Sequence, residues 1–507
     1  MVALFARVAP PLPVEGLFTY AIPEALAEKV SPGVRLSVPF GRRRLAAMCV
    51  EVTSEPPPDG VTAKPIESLI DPEPLAGADL LALAEWVAKR TGCTWGEALE
   101  ATLPAAIKKA RPSRTIRQVR LTLEEDKVHS TVEELQKKRK EQARTLRILA
   151  DRGGLMSQRD LRRLARVSAS PLKSLAKAGL VAFESVEVIH DPLQLTDVTP
   201  TEPHELTKDQ VTARDRVLKA FRAKKAETFL LHGVTGSGKT EVYLQILSEV
   251  VGQGRQGIVL VPEISLTPQT VQRFRERFDR VAVLHSSLTD AERAHQWRRI
   301  RDGDADVVVG ARSAVFAPVP HLGAVILDEE HETTFKQQNV PRYHARDVAE
   351  KRGRLAKAVV IMGTATPSLE MERRASTGDV VRLSLPERVA GGIAPSVQVV
   401  DLMLEERRKG YTFLSDALRA AMDDTLSKEG QVLLFLNRRG WASVLLCRTC
   451  RTGLRCPHCD VSMTMHRRIQ RVLCHYCGHE EPPPSTCPAC SSALSPLSFG
   501  TEKVEDE

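Results

Sequence analysis

Three features are missing from this chain of 507 residues, and each absence narrows what it does. No stretch has the roughly 20 apolar residues needed to cross a bilayer as a helix. No secretory signal opens it: Met1–Arg7 is apolar but short and is soon broken by Pro10, Pro11 and Pro13, so it reads as a strand. Cysteine is scarce outside one place. Of ten cysteines, eight lie between Cys447 and Cys490, and only Cys49 and Cys93 precede them, as expected of small buried hydrophobes. Without an export signal a cytoplasmic location is expected, and the cluster points to metal rather than disulfides. The length implies several domains, and 42% hydrophobic content is ordinary for a soluble globular protein. A net charge of +8 and a pI near 9.0 fit a polyanionic partner without identifying one.

The most informative stretch is Gly233-Val-Thr-Gly-Ser-Gly-Lys-Thr240, between the apolar run Thr228–Leu231 and the helix-forming segment Glu241–Leu247. Strand, glycine-rich loop and helix with G-x-x-x-x-G-K-[ST] spacing make a phosphate-binding loop. Gly233, Gly236 and Gly238 let backbone N–H groups converge on phosphate oxygens, and the helix adds the positive end of its dipole. Lys239 supplies charge to the β and γ phosphates, and Thr240 a hydroxyl for Mg²⁺. The predicted ligand is a nucleotide with Mg²⁺.

Before this loop the chain changes character twice. Residues 1–104 read as a β-rich domain, with short strands at 2–8, 33–40 and 45–52 closed by a helix over Asp79–Lys89. Residues 105–200 begin with a basic stretch and continue as three short helices and a strand. Ser157 is placed to cap the second helix, and Ser170-Pro171 to start the third. Such a unit resembles a winged helix, whose third helix often meets DNA. A plain helical spacer with solvated basic faces is the alternative.

From about 201 to 385 apolar strands alternate with polar helices, the rhythm of a parallel sheet covered on both faces. Ligands then sit at the carboxyl ends of the strands. One strand, Ala324–Leu327, ends in Asp328-Glu-Glu-His331. Asp328 is expected to hold Mg²⁺ through water, and Glu329 to orient or deprotonate the attacking water. Gln210, upstream, is expected to read the adenine edge with its amide. The hydroxyls of Gly363-Thr-Ala-Thr-Pro-Ser368 are expected to link the nucleotide site to a second ligand.

Together these residues resemble the superfamily 2 helicases and, more closely, the primosomal protein N′ (PriA) family of replication-restart helicases. The resemblance rests on the phosphate loop through Tyr243, Val261–Gln269, Gly310–Ser313, Asp328–His331, Phe335–Gln338, Arg342–Asp347, Gly363–Glu370 and Phe435–Gly440. It implies ATP-driven 3′-to-5′ unwinding, recognition of single-stranded and forked DNA, and assembly with primosome proteins and single-strand-binding protein, by a monomer. It implies that loops carrying Pro262-Glu263, Arg312 and Thr366 contact single-stranded DNA or couple it to ATP hydrolysis; Arg312 suits a phosphate and Phe335 a stacked base. Where the family favours Tyr and Trp after Asp328, this chain has Phe335 and Pro341. The N-terminal domain resembles the family's pocket for DNA 3′ ends, with Phe18, Thr19, Tyr20, Val38–Gly41 and Lys64 in matching positions. Thr19, where the family often has Asp, is a weaker acceptor for a terminal hydroxyl.

Four C-x-x-C pairs, Cys447/Cys450, Cys456/Cys459, Cys474/Cys477 and Cys487/Cys490, offer thiolates for two tetrahedral Cys₄ zinc ions. Three pairings exist. The short gap from Cys450 to Cys456 and the ribbon-like gap from Cys459 to Cys474 favour a nested one, with the middle pairs on one ion and the outer pairs on the other, and the family resemblance agrees. His466, His475 and His479 are expected to bind no metal.

The expected architecture is multidomain α/β: a β-rich DNA 3′-end-binding domain (1–104), a basic linker with a winged helix (105–200), a RecA-like ATP-binding helicase lobe (201–385), the start of a second lobe (386–446), a double-zinc insertion (447–491) and the remainder of lobe 2 (492–507). Gln431–Leu436 is expected as one strand of that second lobe. Family members continue past the return strand Leu497–Glu502, so this chain is expected to be a truncated member. Such a chain would bind nucleotide but hydrolyse it poorly, which leaves a DNA- and partner-binding protein without motor activity as the alternative function.

Overall fold

The computed structural model describes residues 3–498 apart from 59, 109–114, 124, 188–198, 390, 392–394, 403–413, 436–442, 448, 451, 459–460, 467–470 and 475–476. The Asn437–Gly440 motif, His475, Cys459 and the end of the expected return strand lie outside the described residues. Two compact units form, Met1–Ile393 and Ala394–Glu507. No helix among the described residues is long and apolar enough to cross a membrane.

The N-terminal strands β1 (Phe5–Ala9), β2 (Phe18–Ala21), β3 (Arg35–Phe40), β4 (Arg43–Thr53) and β5 (Ser68–Leu69) form one sheet in the order β2-β1-β4-β3-β5. Its core gathers Val8, Tyr20, Leu36, Val38 and Ala47. Helix α1 (Ala78–Thr91) follows, then α2 (Trp95–Glu100), started by a capping box on Thr94 and Glu97, and α3 (Ala105–Lys108). Sequence periodicity placed the first of these as the lid of the β-domain. Its buried face, including Leu80, Leu83, Ala84 and Val87, instead joins the large core that also holds Val308, Val325, Phe316 and Val348 of the parallel-sheet domain. Periodicity reveals that a face is buried but not against what.

A second small unit contains β6 (Thr115–Leu121), α4 (Glu125–Lys138), α5 (Lys140–Asp151), β7 (Leu155–Ser157), α6 (Gln158–Ala165), α7 (Ala169–Lys177) and β8 (Val181–Glu187). Three strands in the order β7-β6-β8 pack on the helices as in a winged helix, around Val119, Leu146, Leu149, Leu161, Leu172 and Leu175. Ser157 caps α6 as expected, accepting from the Asp160 amide. The third helix is capped two residues earlier than read, because Ser168 rather than Ser170 supplies the cap, accepting from the Ser170 amide. Strand β6 had looked like a basic linker, since its arginines hide a partner strand more than sixty residues away in sequence.

After α8 (Lys208–Arg222) come β9 (Thr228–Gly233), α9 (Lys239–Gly252), β10 (Gln256–Leu260), α10 (Pro268–Arg275), β11 (Val281–Leu284), α11 (Asp290–Arg301), β12 (Val307–Gly310), β13 (Leu322–Asp328), α12 (Ala345–Ala356), β14 (Val359–Thr364), α13 (Leu369–Ser376) and β15 (Val381–Leu385). The seven strands run in the order β11-β12-β10-β13-β14-β9-β15, and every neighbouring pair is parallel. Strands β9 to β14 are almost wholly buried, which explains their unbroken apolar runs. All loops at the carboxyl edge therefore open on one side of the sheet.

In the second unit, α14 (Asp416–Ser427) precedes residues 431–435, which form no strand among the described residues. The strand expected there is thus not found: Leu433 is 92% and Phe435 84% exposed, and a strand needs a hydrogen-bonded neighbour, which this stretch lacks among the described residues. Strands β16 (Ser443–Cys447), β17 (Thr464–His466), β18 (Arg471–Leu473), β19 (Glu480–Glu481) and β20 (Leu494–Ser498) make an antiparallel sheet in the order β19-β18-β17-β16-β20.

Because Leu83 is fully buried in the shared core, Leu83→Ala should destabilise the ATP-binding domain as well as its N-terminal neighbour, by about 2–5 kcal/mol. Denaturant unfolding followed through a nucleotide probe would show this; an unchanged midpoint would assign α1 to the N-terminal domain alone.

Candidate functional site: a phosphate loop beside three acidic residues

The loop after β9 turns through Gly236 at φ +82° and Gly238 at φ +74°, a region open mainly to glycine. A Cβ on Gly238 would lie 2.4 Å from Gln210 Nε2, so the loop has no room for a side chain there. The Lys239 ammonium donates to the Gly233 carbonyl at 2.8 Å, folded back over the cradle. Ser237 Oγ is buried without a partner in the loop. Lys239 and Thr240 open α9, where N–H groups have no intrahelical acceptor. A glycine-built hollow, a cation, an orphaned hydroxyl and free amides together fit a polyphosphate. The chain after β15 returns to this loop: the Val389 amide donates to the Gly236 carbonyl at 3.1 Å, and the Arg388 stem lies beside Gly236. Sequence reading had missed Arg388.

Gln210 does not read a base in this structure. Its carbonyl oxygen accepts from the Thr207 amide at 2.8 Å, completing a capping box for α8, and its Nε2 donates to the Ser237 carbonyl at 2.7 Å. With both ends of the amide engaged and the side chain buried, it braces the phosphate loop.

Strand β13 delivers Asp328 to the same edge. Tyr243, fully buried on α9, donates its hydroxyl to Asp328 Oδ1 at 3.0 Å. That hydroxyl fills the place of a Cβ at Gly363 in β14: an added Cβ would sit 1.5 Å from it. Burial pushes the Asp328 carboxyl above its usual range, against the opposing effects of the Tyr243 hydrogen bond and the Lys239 charge. Glu329 follows at φ +51°, a left-handed conformation uncommon outside glycine, which turns its carboxyl away from the strand direction. Its pKa is raised as well, by burial first and by the Asp328 charge second. Two sheltered acids with raised pKa values beside a lysine suit a divalent cation held by Asp328 and Thr240, with Glu329 placed as a base.

Two further residues of this segment gain roles that the sequence did not announce. Glu330 is fully buried, accepts from Arg346 Nη1 at 2.9 Å, and accepts from the Ser368 amide and hydroxyl at 2.7 and 3.0 Å. His331 Nδ1 lies 2.8 Å from Thr364 Oγ1 and 3.6 Å from a Glu329 oxygen. Thr364 in turn accepts from the Thr366 amide at 3.0 Å, leaving Thr366 exposed at the loop tip. A chain of polar contacts thus runs from Glu329 to Thr366. The partners lie about thirty residues apart in sequence, so only the motif pattern could have hinted at it.

Loops after β10, β11 and β12 open onto a cavity of about 720 Å³ whose lining includes Pro262, Glu263, His285, Arg312 and Lys336, with residues 101–105 forming another wall. Arg312 Nη1 donates to the Thr334 and Lys336 carbonyls at 2.9 and 3.0 Å, so in this structure it fastens the loop after β13. Phe335 is 1% exposed and belongs to the core, which corrects its reading as a stacking surface: the ring gains more from burial here than from water. In the N-terminal domain, Phe18 meets Phe40 edge-on at 5.1 Å, Tyr20 donates to the Pro39 carbonyl, and the Lys64 carbonyl accepts from Ala21. Lys64 therefore adjoins the end of the strand that carries Phe18 and Thr19, with Lys64 exposed and the other two half-buried.

The cysteines of the second unit fall into two groups. Sulfurs of Cys447, Cys450, Cys487 and Cys490 lie within 4.8 Å of one another, as do those of Cys456, Cys474 and Cys477. Four clustered thiols are a zinc donor set; the two outer pairs make up the first group, and Cys456 joins Cys474 and Cys477 in the second.

The raised pKa of Asp328 sets a stability prediction. A carboxyl whose folded pKa exceeds its unfolded value costs the native state stability while it is ionised, and that cost vanishes as pH falls. Asp328→Asn, which keeps an acceptor for Tyr243, should therefore raise the melting temperature of the ligand-free protein at neutral pH. The gain should shrink toward the ordinary carboxylate range, about pH 4. Melting curves at pH 7.5 and 4.5 check this; a fall in melting temperature at pH 7.5 counts against it. Gly363→Ala should abolish Mg²⁺-dependent nucleotide binding, because Tyr243 must leave Asp328.

Comparison with known proteins fits these sites to one family. Residues 7–104 match the 3′DNA-binding domain (3′BD) of PriA, residues 207–374 a DEAD/DEAH box helicase, and residues 456–482 the PriA DNA helicase Cys-rich region (CRR) domain. The replication restart protein PriA of Bacillus subtilis is 36% identical over 97% of this chain and 69% of its own length. That of Haemophilus influenzae is 35% identical over 99% of this chain and 68% of its own. That of Synechocystis is 44% identical over 72% of this chain, a match that takes in 45% of its own length. The chain belongs to the PriA family of replication restart proteins and carries that family's DEAD/DEAH-box ATP-dependent DNA helicase domain.

Proposed function

We propose that this chain is an ATP-driven DNA helicase that moves 3′ to 5′, engages stalled or forked DNA and begins primosome assembly for replication restart. The observation that carries the reading is the contact path from Glu329 through His331 and Thr364 to Thr366, which joins the carboxylates of the nucleotide site to an exposed loop at the sheet edge. ATP lies on Gly233, Gly236, Gly238, Lys239 and Thr240. Mg²⁺ held by Asp328 and Thr240 neutralises phosphate charge. Glu329 orients and deprotonates the attacking water. Single-stranded DNA lies along Arg312 and Thr366, and Phe18, Thr19 and Lys64 receive a 3′ end. The partners are primosome proteins and single-strand-binding protein, and the active form is a monomer.

Two zinc ions complete the account, one on Cys447, Cys450, Cys487 and Cys490 and one on Cys456, Cys459, Cys474 and Cys477. Closed Cys₄ sites leave no open position for catalysis, so their role is to hold the small antiparallel sheet together.

The test is a steady-state ATPase assay with and without single-stranded DNA at fixed salt, paired with strand displacement on forks bearing a 3′ or a 5′ single-stranded arm. DNA-stimulated turnover and unwinding in the 3′-to-5′ sense are expected. Glu329→Gln should lower kcat by about 10² or more while nucleotide still binds. Nucleotide binding without turnover would favour the motorless DNA- and partner-binding reading. Metal analysis should return two zinc ions per chain. Chelation should dissolve the β16–β20 sheet, seen in its backbone amides, while nucleotide binding survives, since the cysteines lie in a separate unit.

A further inference from the structure

The net charge of this protein is concentrated. Residues 139–177 hold eleven Lys and Arg against three Asp and Glu, a surplus of eight that equals the excess of the whole chain. The stretch comprises α5, β7, α6 and α7 of the winged-helix unit, and within it the cations are not evenly spread. Helix α6 buries Leu161 and Ala165 against the core and leaves Arg159, Arg162 and Arg163 exposed. Arg117 of β6, also exposed, faces the same hollow of about 530 Å³, whose remaining lining is Gln158 and Val167. Among the described residues Arg117, Arg159 and Arg162 have no acidic partner. Arg163 has one, Asp160 at 3.2 Å, in an exposed pair of small worth. That Asp160 also accepts from Ser157 Oγ at the helix start, so it serves the cap.

Helix α7 occupies the position of a base-reading helix but is not equipped as one. Its sequence is ASPLKSLAK, with Pro171, Leu172 and Leu175 buried and Ser170, Lys173 and Lys177 exposed. Of the residues that meet base edges it offers Lys173 and Lys177 but no Arg, Asn or Gln, and a lysine ammonium lacks the planar fork of a guanidinium. The preceding helix of a helix-turn-helix crosses the sugar-phosphate backbone, and here that helix carries the arginines. A single strand is a poorer fit. Sequence-tolerant binding of lone strands relies on aromatic stacking, and residues 115–187 contain one aromatic ring of Phe, Tyr or Trp, that of Phe183.

We propose that Arg117, Arg159, Arg162 and Arg163 form a clamp for the phosphate backbone of duplex DNA, indifferent to sequence, and that α7 is not the principal contact. A guanidinium grips phosphate oxygens in two places at once, which suits it to hold a backbone without reading bases. The inference rests on the DNA-binding role proposed above and assigns one part of it, the grip on a duplex arm of a fork, to a surface remote in sequence from the ATPase motifs.

The full chain and two variants, Arg159→Glu/Arg162→Glu and Lys173→Glu/Lys177→Glu, are compared by fluorescence anisotropy. The probes are dumbbell duplexes of two unrelated sequences, which lack free 3′ ends, and a single strand, each across a range of salt. The arginine variant should bind both duplexes at least about tenfold more weakly at fixed salt, with the salt slope reduced by about 2. The lysine variant should lose clearly less, and single-strand binding and DNA-stimulated ATPase should hold in both. Unchanged duplex affinity in the arginine variant would overturn the clamp, as would an equal loss on the single strand or a larger loss in the lysine variant. Where a melting curve shows that glutamates unfold the unit, Arg159→Gln/Arg162→Gln removes the charge more gently and the same comparison decides. Absence of DNA-stimulated ATPase in the unmodified chain would count against the helicase reading, while the duplex measurements would still decide the clamp.

Discussion

The hydroxyl of Tyr243 sits where Gly363 leaves room for it and donates to Asp328. That one contact ties together the helix that begins with Lys239, the strand that ends in Asp328 and the strand that leads to the Thr364–Ser368 loop. None of the three can shift along the others without breaking it. The hydrogen bond itself contributes modestly, about 1 kcal/mol, but the packing around it is tight enough that a single methyl group at Gly363 has nowhere to go. The nucleotide site inherits its geometry from this junction.

Three consecutive acids leave the end of β13 and meet three different fates. Asp328 is tethered by Tyr243 and partly dehydrated. Glu329 is swung out of line by its positive φ and has its pKa raised by burial and by the Asp328 charge. Glu330 is withdrawn completely and neutralised by Arg346, with Ser368 supplying the remaining hydrogen bonds. Removing Arg346 alone would leave a buried charge unpaired, which costs far more than the pair contributes. Alternating direction along a strand end thus gives three consecutive acids three different environments, two at the loop edge and one in the core. His331 then carries the connection on to Thr364.

Around this centre the chain sets out its other functions as separate packages. The β-sheet of residues 5–69 brings Phe18 against Phe40 and ties Tyr20 to Pro39, and the helices that follow it fuse into the core of the ATP-binding sheet. The winged-helix unit has its own core and concentrates the positive charge. The cysteine-rich sheet stands in a second unit, where Cys456 and Cys474 share a small core with Leu445, Leu454, Met463 and Val472.

What the sequence determined by itself was whatever depends on neighbours in the chain. The phosphate loop was legible because its glycines, Lys239 and Thr240 act within eight residues, between a strand and a helix that their own composition specifies. The alternation of buried strands and polar helices was legible for the same reason, and so was a zinc donor set made of C-x-x-C pairs. What needed the tertiary structure was every assignment that turns on a partner far away. Phe335 looked like a stacking ring until the core claimed it, and Gln210 looked like an adenine reader until both ends of its amide were engaged. The stretch 431–435 had the composition of a strand but has no strand partner among the described residues. Tyr243 and Asp328 are 85 residues apart, and Glu330 and Ser368 are 38 apart. Local propensity fixes which segments are helix or strand; which buried group meets which is set by how the sheet orders its strands, and no single segment contains that information.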